Sequence, residues 1–271
     1  MPARILIGTQ GWKVGSWIGP FYPHGTRSRD FLEVYSRAFP TVEVGSTAFS
    51  IPAEPAVQEW AEGVPEGFVF ALKVPQQVTH ERRLADTELV MRRFLDRVSG
   101  LGERLGPLLL QMSPAFRPSD ASLDLLRGFL SELPEGFRWA IEFRHPGWLA
   151  PQTMEVLRRH RVACAMVDAR WTPREMANEL ALEPTADFAY LRWEGTGRRL
   201  TDYSRAQLDR EQEFERWEQV VRLLRSRVDM IFGYFDDTFQ GHAPHSARAM
   251  QERLHLPVVR PSALREQAEL F

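Results

Sequence analysis

Apolar residues along the chain gather into eight short runs rich in β-branched and aromatic side chains, beginning near Arg4, Thr41, Phe68, Pro107, Arg138, Val162, Phe188 and Val228. Runs of this kind read as strands. Between them the pattern changes to helical spacing, as in Asp30-Phe31-Leu32-Glu33-Val34-Tyr35 and Leu89-Val90-Met91-Arg92-Arg93-Phe94-Leu95, where the apolar residues fall on one stripe. A strand followed by a helix, recurring about every 30 residues, is the cadence of the βαβ unit, and parallel strands need such crossovers. Eight repeats predict an α/β fold: a (β/α)₈ TIM-type barrel with outer helices, occupying 1–271 as one domain. An open doubly wound sheet competes with it, because the sixth unit offers only a short helix over 172–182 before Glu183-Pro184-Thr185 interrupts the pattern. The longest helix is expected over 204–227, and 15–25 reads as a loop long enough to cover a site.

Polar residues inside the strands carry the functional signal. Side chains alternate faces along a strand, so in Arg138-Trp139-Ala140-Ile141-Glu142-Phe143-Arg144 the large apolar Ile141 and Phe143 share one face and Glu142 and Arg144 the other. The helix-covered face takes the apolar residues, which points Glu142 and Arg144 into the barrel near its carboxyl end. The same parity directs Glu43, Lys73, Gln111, Tyr190, Arg192, Glu194, Tyr234 and Asp236 inward, with Asp168 closing the sixth strand. A charge within an apolar strand has to be paired or functional. The candidates for catalysis are Glu142, Lys73, Glu194, Asp236 and His145, which the Pro146-Gly147 turn holds beside Arg144. Those for substrate contact are Glu43, Gln111, Arg144, Arg192, Tyr234, His80 in Thr79-His80-Glu81-Arg82-Arg83, and Trp12 after the Gly8-Thr9-Gln10-Gly11 turn. A self-satisfying ion network that only fixes the fold is the opposing reading.

Composition narrows the ligand. The 271 residues are 44% hydrophobic, enough for a large core, and the net charge of -2 gives no excess positive field for tracking phosphates. A small polar or anionic ligand is therefore expected. Nucleic acid would need a local patch, with Arg82, Arg83, Arg198 and Arg199 on phosphates and Trp12, Trp17 or Trp148 stacked on bases. The single cysteine, Cys164, lies in an apolar run and reads as a buried, inert thiol. The first apolar stretch is too short for a signal sequence and no run reaches the length of a membrane span, which fits a cytoplasmic protein. No nucleotide cofactor motif is present. Glu43, Glu142, Asp168, Glu194, Asp236 and nearby histidines are suitable donors for a divalent metal, although their wide separation is not diagnostic. Glu194-Gly195-Thr196-Gly197-Arg198-Arg199 and the helix start at Gly241-His242-Ala243-Pro244-His245-Ser246 have a composition suited to phosphate.

Taken in order, several segments resemble one family along nearly the whole chain. They include Ile7-Gly8-Thr9-Gln10-Gly11-Trp12, Val42-Glu43-Val44-Gly45-Ser46-Thr47, Phe70-Ala71-Leu72-Lys73-Val74-Pro75, Gly106-Pro107-Leu108-Leu109-Leu110-Gln111, Glu142-Phe143-Arg144-His145-Pro146-Gly147-Trp148, Tyr190-Leu191-Arg192 and Gly241-His242-Ala243-Pro244. The family is that of the YecE-like proteins, domain of unknown function 72. The resemblance implies a TIM-type barrel and brings no defined activity with it. The chain departs from the family pattern at Gly45 (usually Asn), Ala48-Phe49-Ser50 (Phe-Tyr-Arg), Glu194 (His), Asp236-Asp237 (an Asn pair) and Ser246 (Asn). Carboxylates in place of neutral donors imply a more acidic mouth. The first functional reading is an enzyme performing hydrolase- or isomerase-type acid–base chemistry on a small polar or phosphorylated substrate. A nucleic-acid-binding or processing protein and a noncatalytic partner-binding barrel are the alternatives.

Overall fold

A computed structural model describes residues 2–195, 197 and 200–268. Its strands are β1 (Arg4–Gln10), β2 (Thr41–Val44), β3 (Val69–Lys73), β4 (Leu105–Gln111), β5 (Trp139–Glu142), β6 (Ala163–Cys164), β7 (Met166–Ala169), β8 (Phe188–Gly195) and β9 (Met230–Phe235). All pair in parallel, in the order β6-β5-β4-β3-β2-β1-β9-β8-β7. The two ends of this order are halves of one strand, separated only by Ala165, whose amide donates to the Ile141 carbonyl at 2.8 Å. The sheet thus curls into a nearly closed barrel, and the expected sixth strand is present in two pieces.

Side-chain size explains how the interior is filled. β8 and β9 send in Phe188, Tyr190, Phe232 and Tyr234, while β3, β5, β6 and β7 answer with Ala71, Ala140, Ala163 and Ala169. Large residues on two strands and small ones on the others let long side chains cross the barrel without voids. Gly8 belongs to the same economy of space: a Cβ there would run into the Thr41 carbonyl oxygen and meet the Tyr35 hydroxyl at 2.9 Å. That hydroxyl is wedged between β1 and β2, accepting from the Thr9 amide and donating to the Thr41 carbonyl, each at 2.9 Å.

The opposite strand faces carry Ile7, Val42, Phe70, Leu110, Ile141, Leu191 and Ile231 into an outer apolar layer. Covering it are α1 (Phe31–Ala38), α2 (Glu54–Glu62), α3 (Glu88–Val98), α4 (Asp120–Ser131), α5 (Pro151–Arg159), α6 (Met176–Leu182), α7 (Glu211–Leu224), α8 (Asp237–Gln240), α9 (Ala243–Arg253) and α10 (Pro261–Ala268). Proline at the first turn of α2, α5 and α9 sets the backbone where no amide partner is needed. The helix expected over 204–227 is shorter, because the Gln207 and Leu208 amides both turn to the Gln240 carbonyl instead of bonding within a helix. Likewise the sixth unit's helix begins at Met176 rather than near Thr172. Segment 15–25 folds inward, burying Trp17, Phe21 and Tyr22, with the Tyr22 ring stacked on Phe31 at 4.3 Å. Among the described residues no helix is long and apolar enough to cross a membrane.

Candidate functional site

Strand alternation brings the polar side chains together. Gln10, Lys73, Gln111 and Glu142 are the last residues of β1, β3, β4 and β5, and they meet Glu43 of β2 and Arg192 and Glu194 of β8 at the carboxyl-terminal mouth. Arg192 lies at the centre. Its Nε donates to Glu43 Oε2 at 2.8 Å, and its Nη2 donates to Glu43 Oε1 at 3.0 Å and to Gln10 Oε1 at 2.7 Å. Its Nη1 donates to both Glu142 Oε2 and Glu194 Oε1. All five guanidinium N–H groups therefore have acceptors.

The buried carboxylates are as fully engaged as the cation. Glu43 accepts a further bond from the Tyr190 hydroxyl at 2.8 Å and lies 3.7 Å from Lys73 Nζ. Glu142 Oε1 accepts from Gln111 Nε2 at 3.1 Å and from Arg144 Nε at 3.0 Å. Both carboxylates are 0% exposed, whereas the side chains of Lys73, Glu194 and Arg144 keep 15%, 17% and 26% of their surface. A closed inner triad thus underlies an open rim.

Electrostatics separates the three Arg192-linked glutamates. Burial alone would raise the Glu142 carboxyl, but Arg192, Arg144 and Lys73 overcome it and bring its pKa from the ordinary 4.5 down to about 2. Glu43 is lowered in the same way by Arg192 and Lys73 against its burial. Glu194 moves in the opposite direction, because burial together with the Glu142 charge outweighs Arg192 and raises its carboxyl above the usual range. Lys73 is lowered by burial and by Arg192. His80, in the helical turn Gln77–Glu81, is lowered by burial and by the Arg144 and Lys73 charges, and its Nδ1 lies 2.9 Å from the Thr79 hydroxyl.

Several expected site residues lie elsewhere. Asp168 faces outward, since Val167 and Ala169 take the interior positions, and it pairs with Arg216 of α7 at 3.0 Å. Asp236 caps α8, accepting from the Thr238 amide at 2.9 Å. His145 accepts from the Gly147 amide at 3.1 Å, so its imidazole closes its own turn. Trp12 is buried in the outer layer against Trp60, with ring centroids 5.9 Å apart. Tyr234 is wholly buried inside the barrel, its hydroxyl 2.9 Å from Thr41 Oγ1. Trp17 and Trp148 are also buried, which removes them as stacking platforms. Thr196, Arg198 and Arg199 lie outside the described residues. His242 is buried with Nδ1 2.8 Å from the Tyr203 carbonyl. Burial drives the Cys164 thiol to about 12, in keeping with an inert role.

Gln10 and Trp171 were missed, and Tyr190 was read as inward-facing but not as part of the site. Gln10 shares inward parity with Leu6, but the glycines on either side made its tract read as a turn. Tyr190 shows the inward parity yet carries no charge to single it out. Trp171 lies in the loop after β7, packed against the interior cluster, with the Arg144 guanidinium 5.4 Å from its ring centre. Loop placement leaves no periodic signal. Among the described residues no three His, Cys, Asp or Glu side chains gather as metal ligands. The acids proposed for that purpose are instead held by Arg192, Arg216 and Thr238.

Replacing Arg192 with Met should cost about 3–5 kcal/mol at neutral pH, because two buried carboxylates lose their counter-charge. Glu142 has a depressed pKa in the folded protein, so its stabilisation is present above pH 4.5 and is lost as pH falls toward about 2. Urea denaturation should therefore find the wild-type advantage over Arg192→Met shrinking in acid. Asp237 titrates in the other direction. Burial raises its carboxyl from 3.8 to about 7, so its favourable contribution is lost as pH rises through that window. Its Oδ1 accepts from Trp17 Nε1 at 3.1 Å and from the Ala243 amide at 2.7 Å, bonds that an asparagine oxygen can also accept. Thermal melts should find Asp237→Asn more stable than wild type at pH 8, with the difference closing near pH 4.

Comparison with known proteins agrees with this architecture. The family model described as "Protein of unknown function DUF72" matches residues 6–269. UPF0759 protein YecE of Escherichia coli K12 is 33% identical over 146 residues, covering 54% of this chain and 50% of that protein. The chain thus aligns with about half the length of that curated relative. A DUF72 family protein from Thermotoga maritima superposes with a TM-score of 0.79 at 25% identity, over 93% of this chain and 99% of that one. D-psicose 3-epimerase from Clostridium cellulolyticum shares the barrel fold alone, with a TM-score of 0.51 at 7% identity over 99% of each chain. The chain belongs to the DUF72 family.

Proposed function

We propose that the mouth is the active site of an acid–base enzyme acting on a small substrate with an anionic group. The observation that carries this reading is the divergence of two carboxylates on one guanidinium nitrogen: Glu142 is sealed and held ionised, while Glu194 is accessible and its carboxyl is raised above the usual range. Pairs pushed apart in this way divide the labour of proton transfer. In this reading Glu194 gives or takes the proton, and Glu43 and Glu142 fix Arg192 without themselves titrating near neutrality.

The rim supplies the binding groups. Arg144 spends its Nε on Glu142, and its Nη2 is 3.9 Å from Glu194, too far for a hydrogen bond. Its remaining donors and the Lys73 ammonium form a cationic pair that suits a carboxylate or phosphate, with the nearby His80 imidazole as a further hydrogen-bonding group. Glu194 adjoins this pair. An anion held there would bring the rest of the substrate toward the proton carrier, the positioning that general acid–base catalysis needs. Three carboxylates and three cations balance within the cluster, so an anion binds best when Glu194 is protonated.

Differential scanning fluorimetry with small phosphomonoesters, hydroxycarboxylates and neutral polyols tests the reading. Anionic compounds should raise the melting temperature of the wild type by a few degrees, and the shift should vanish in Lys73→Met/Arg144→Met. For an anion that binds, calorimetry in buffers of different ionisation enthalpy should record proton uptake in the wild type and none in Glu194→Gln. Equal shifts with neutral polyols, or full retention of the anion shift in the double variant, would contradict the assignment.

A further inference from the structure

On the outer wall of the barrel, a groove of about 760 Å³ runs between α3 and α4. Its floor is apolar, made by Met91 and Leu95 of α3, Leu125 and Phe129 of α4, and Leu133 and Phe137 from the segment leading to β5. The stripe is additional to the one that attaches α3 to the barrel, since Phe94 and Val98 fill that role and are wholly buried. By contrast Leu125, Leu133 and Phe137 are only partly covered. Apolar surface left open along a groove marks a contact site.

Charge around the groove selects the occupant. Asp86, Glu88, Asp96, Asp124 and Glu132 line it, all exposed, against the single lining base Arg92. Arg127 lies outside the lining and pairs with Asp124 at 2.8 Å. This acidic rim contrasts with a whole-chain charge of only -2. The flanking helices give the groove a length of about 16 Å, or three helical turns. Helices and loops line the groove, so an added strand would find no sheet edge to pair with there. We propose that this groove docks a basic amphipathic helix of a partner protein, with apolar anchors at i, i+3/i+4 and i+7 on the floor and Lys or Arg against the rim.

The surface is separate from the mouth, so the inference stands or falls independently of the proposed catalysis. A fluorescently labelled Leu/Lys amphipathic helix of about four turns and a Leu/Glu peptide with the same apolar positions serve as probes. Fluorescence anisotropy should show the Leu/Lys peptide binding with an affinity that falls as salt rises, and the Leu/Glu peptide at least tenfold weaker. Charge reversal at two exposed sites, Asp124→Lys/Glu132→Lys, should weaken the Leu/Lys peptide by at least tenfold, and Leu125→Glu should abolish binding while circular dichroism stays native. Because both charge-reversal positions are exposed, that variant keeps the test valid if Leu125→Glu fails to fold. Equal binding of the two peptides, or indifference to charge reversal, would overturn the proposal. So would sedimentation showing a dimer that Leu125→Glu converts to monomer, since a second copy would then occupy the groove.

Discussion

The guanidinium of Arg192 is the constraint around which the upper barrel is organised. It projects from β8 and reaches carboxylates on β2 and β5, so one side chain ties distant staves of the barrel together. A buried ion pair gains little net stability unless every donor and acceptor is satisfied. Arg192 meets that condition with five acceptors, and Glu43 and Glu142 meet it with Tyr190, Lys73, Gln111 and Arg144. Bidentate geometry to Glu43 is specific to the planar guanidinium, which makes lysine a poor substitute.

Room for this arrangement comes from the alanines on β3, β5 and β6. Had Ala71, Ala140 and Ala163 been leucines, the space crossed by the long β8 side chains would be filled and the interior would be an ordinary apolar core. The sealed layer also determines what lies above it. With Glu43 and Glu142 fixed as anions, their charge acts on the open rim, and Glu194, which shares Arg192 Nη1 with Glu142, feels that repulsion directly. The same residues that make the fold specific therefore produce the asymmetry on which the proposed chemistry rests.

Much of this was legible in the sequence because strand alternation is rigid. Glu142 and Arg144 flanking Phe143, or Arg192 and Glu194 flanking Trp193, can point inward only together. Parity failed where the phase of a strand was not anchored by large apolar neighbours. Asp168 ended a strand whose interior positions are the small Val167 and Ala169, so its outward direction was hidden. Side chains at strand ends and in turns have partners that the pattern did not indicate: Asp236 and His145 accept from local backbone amides, a use that long-range pattern does not encode. The acidic departures from the family pattern also divide. Glu194 enters the cluster, whereas Asp236 and Asp237 serve the start of the last βα connection.

The most direct test of the central claim is a carbon-13 NMR titration of glutamate side-chain carboxyls, with Glu194→Gln used for assignment. One resonance should titrate above the ordinary glutamate range and disappear in Glu194→Gln, while the Glu43 resonance titrates below that range and the Glu142 resonance stays ionised down to about pH 2. A Glu142 resonance titrating near 4.5, or a Glu194 resonance below it, would contradict the account.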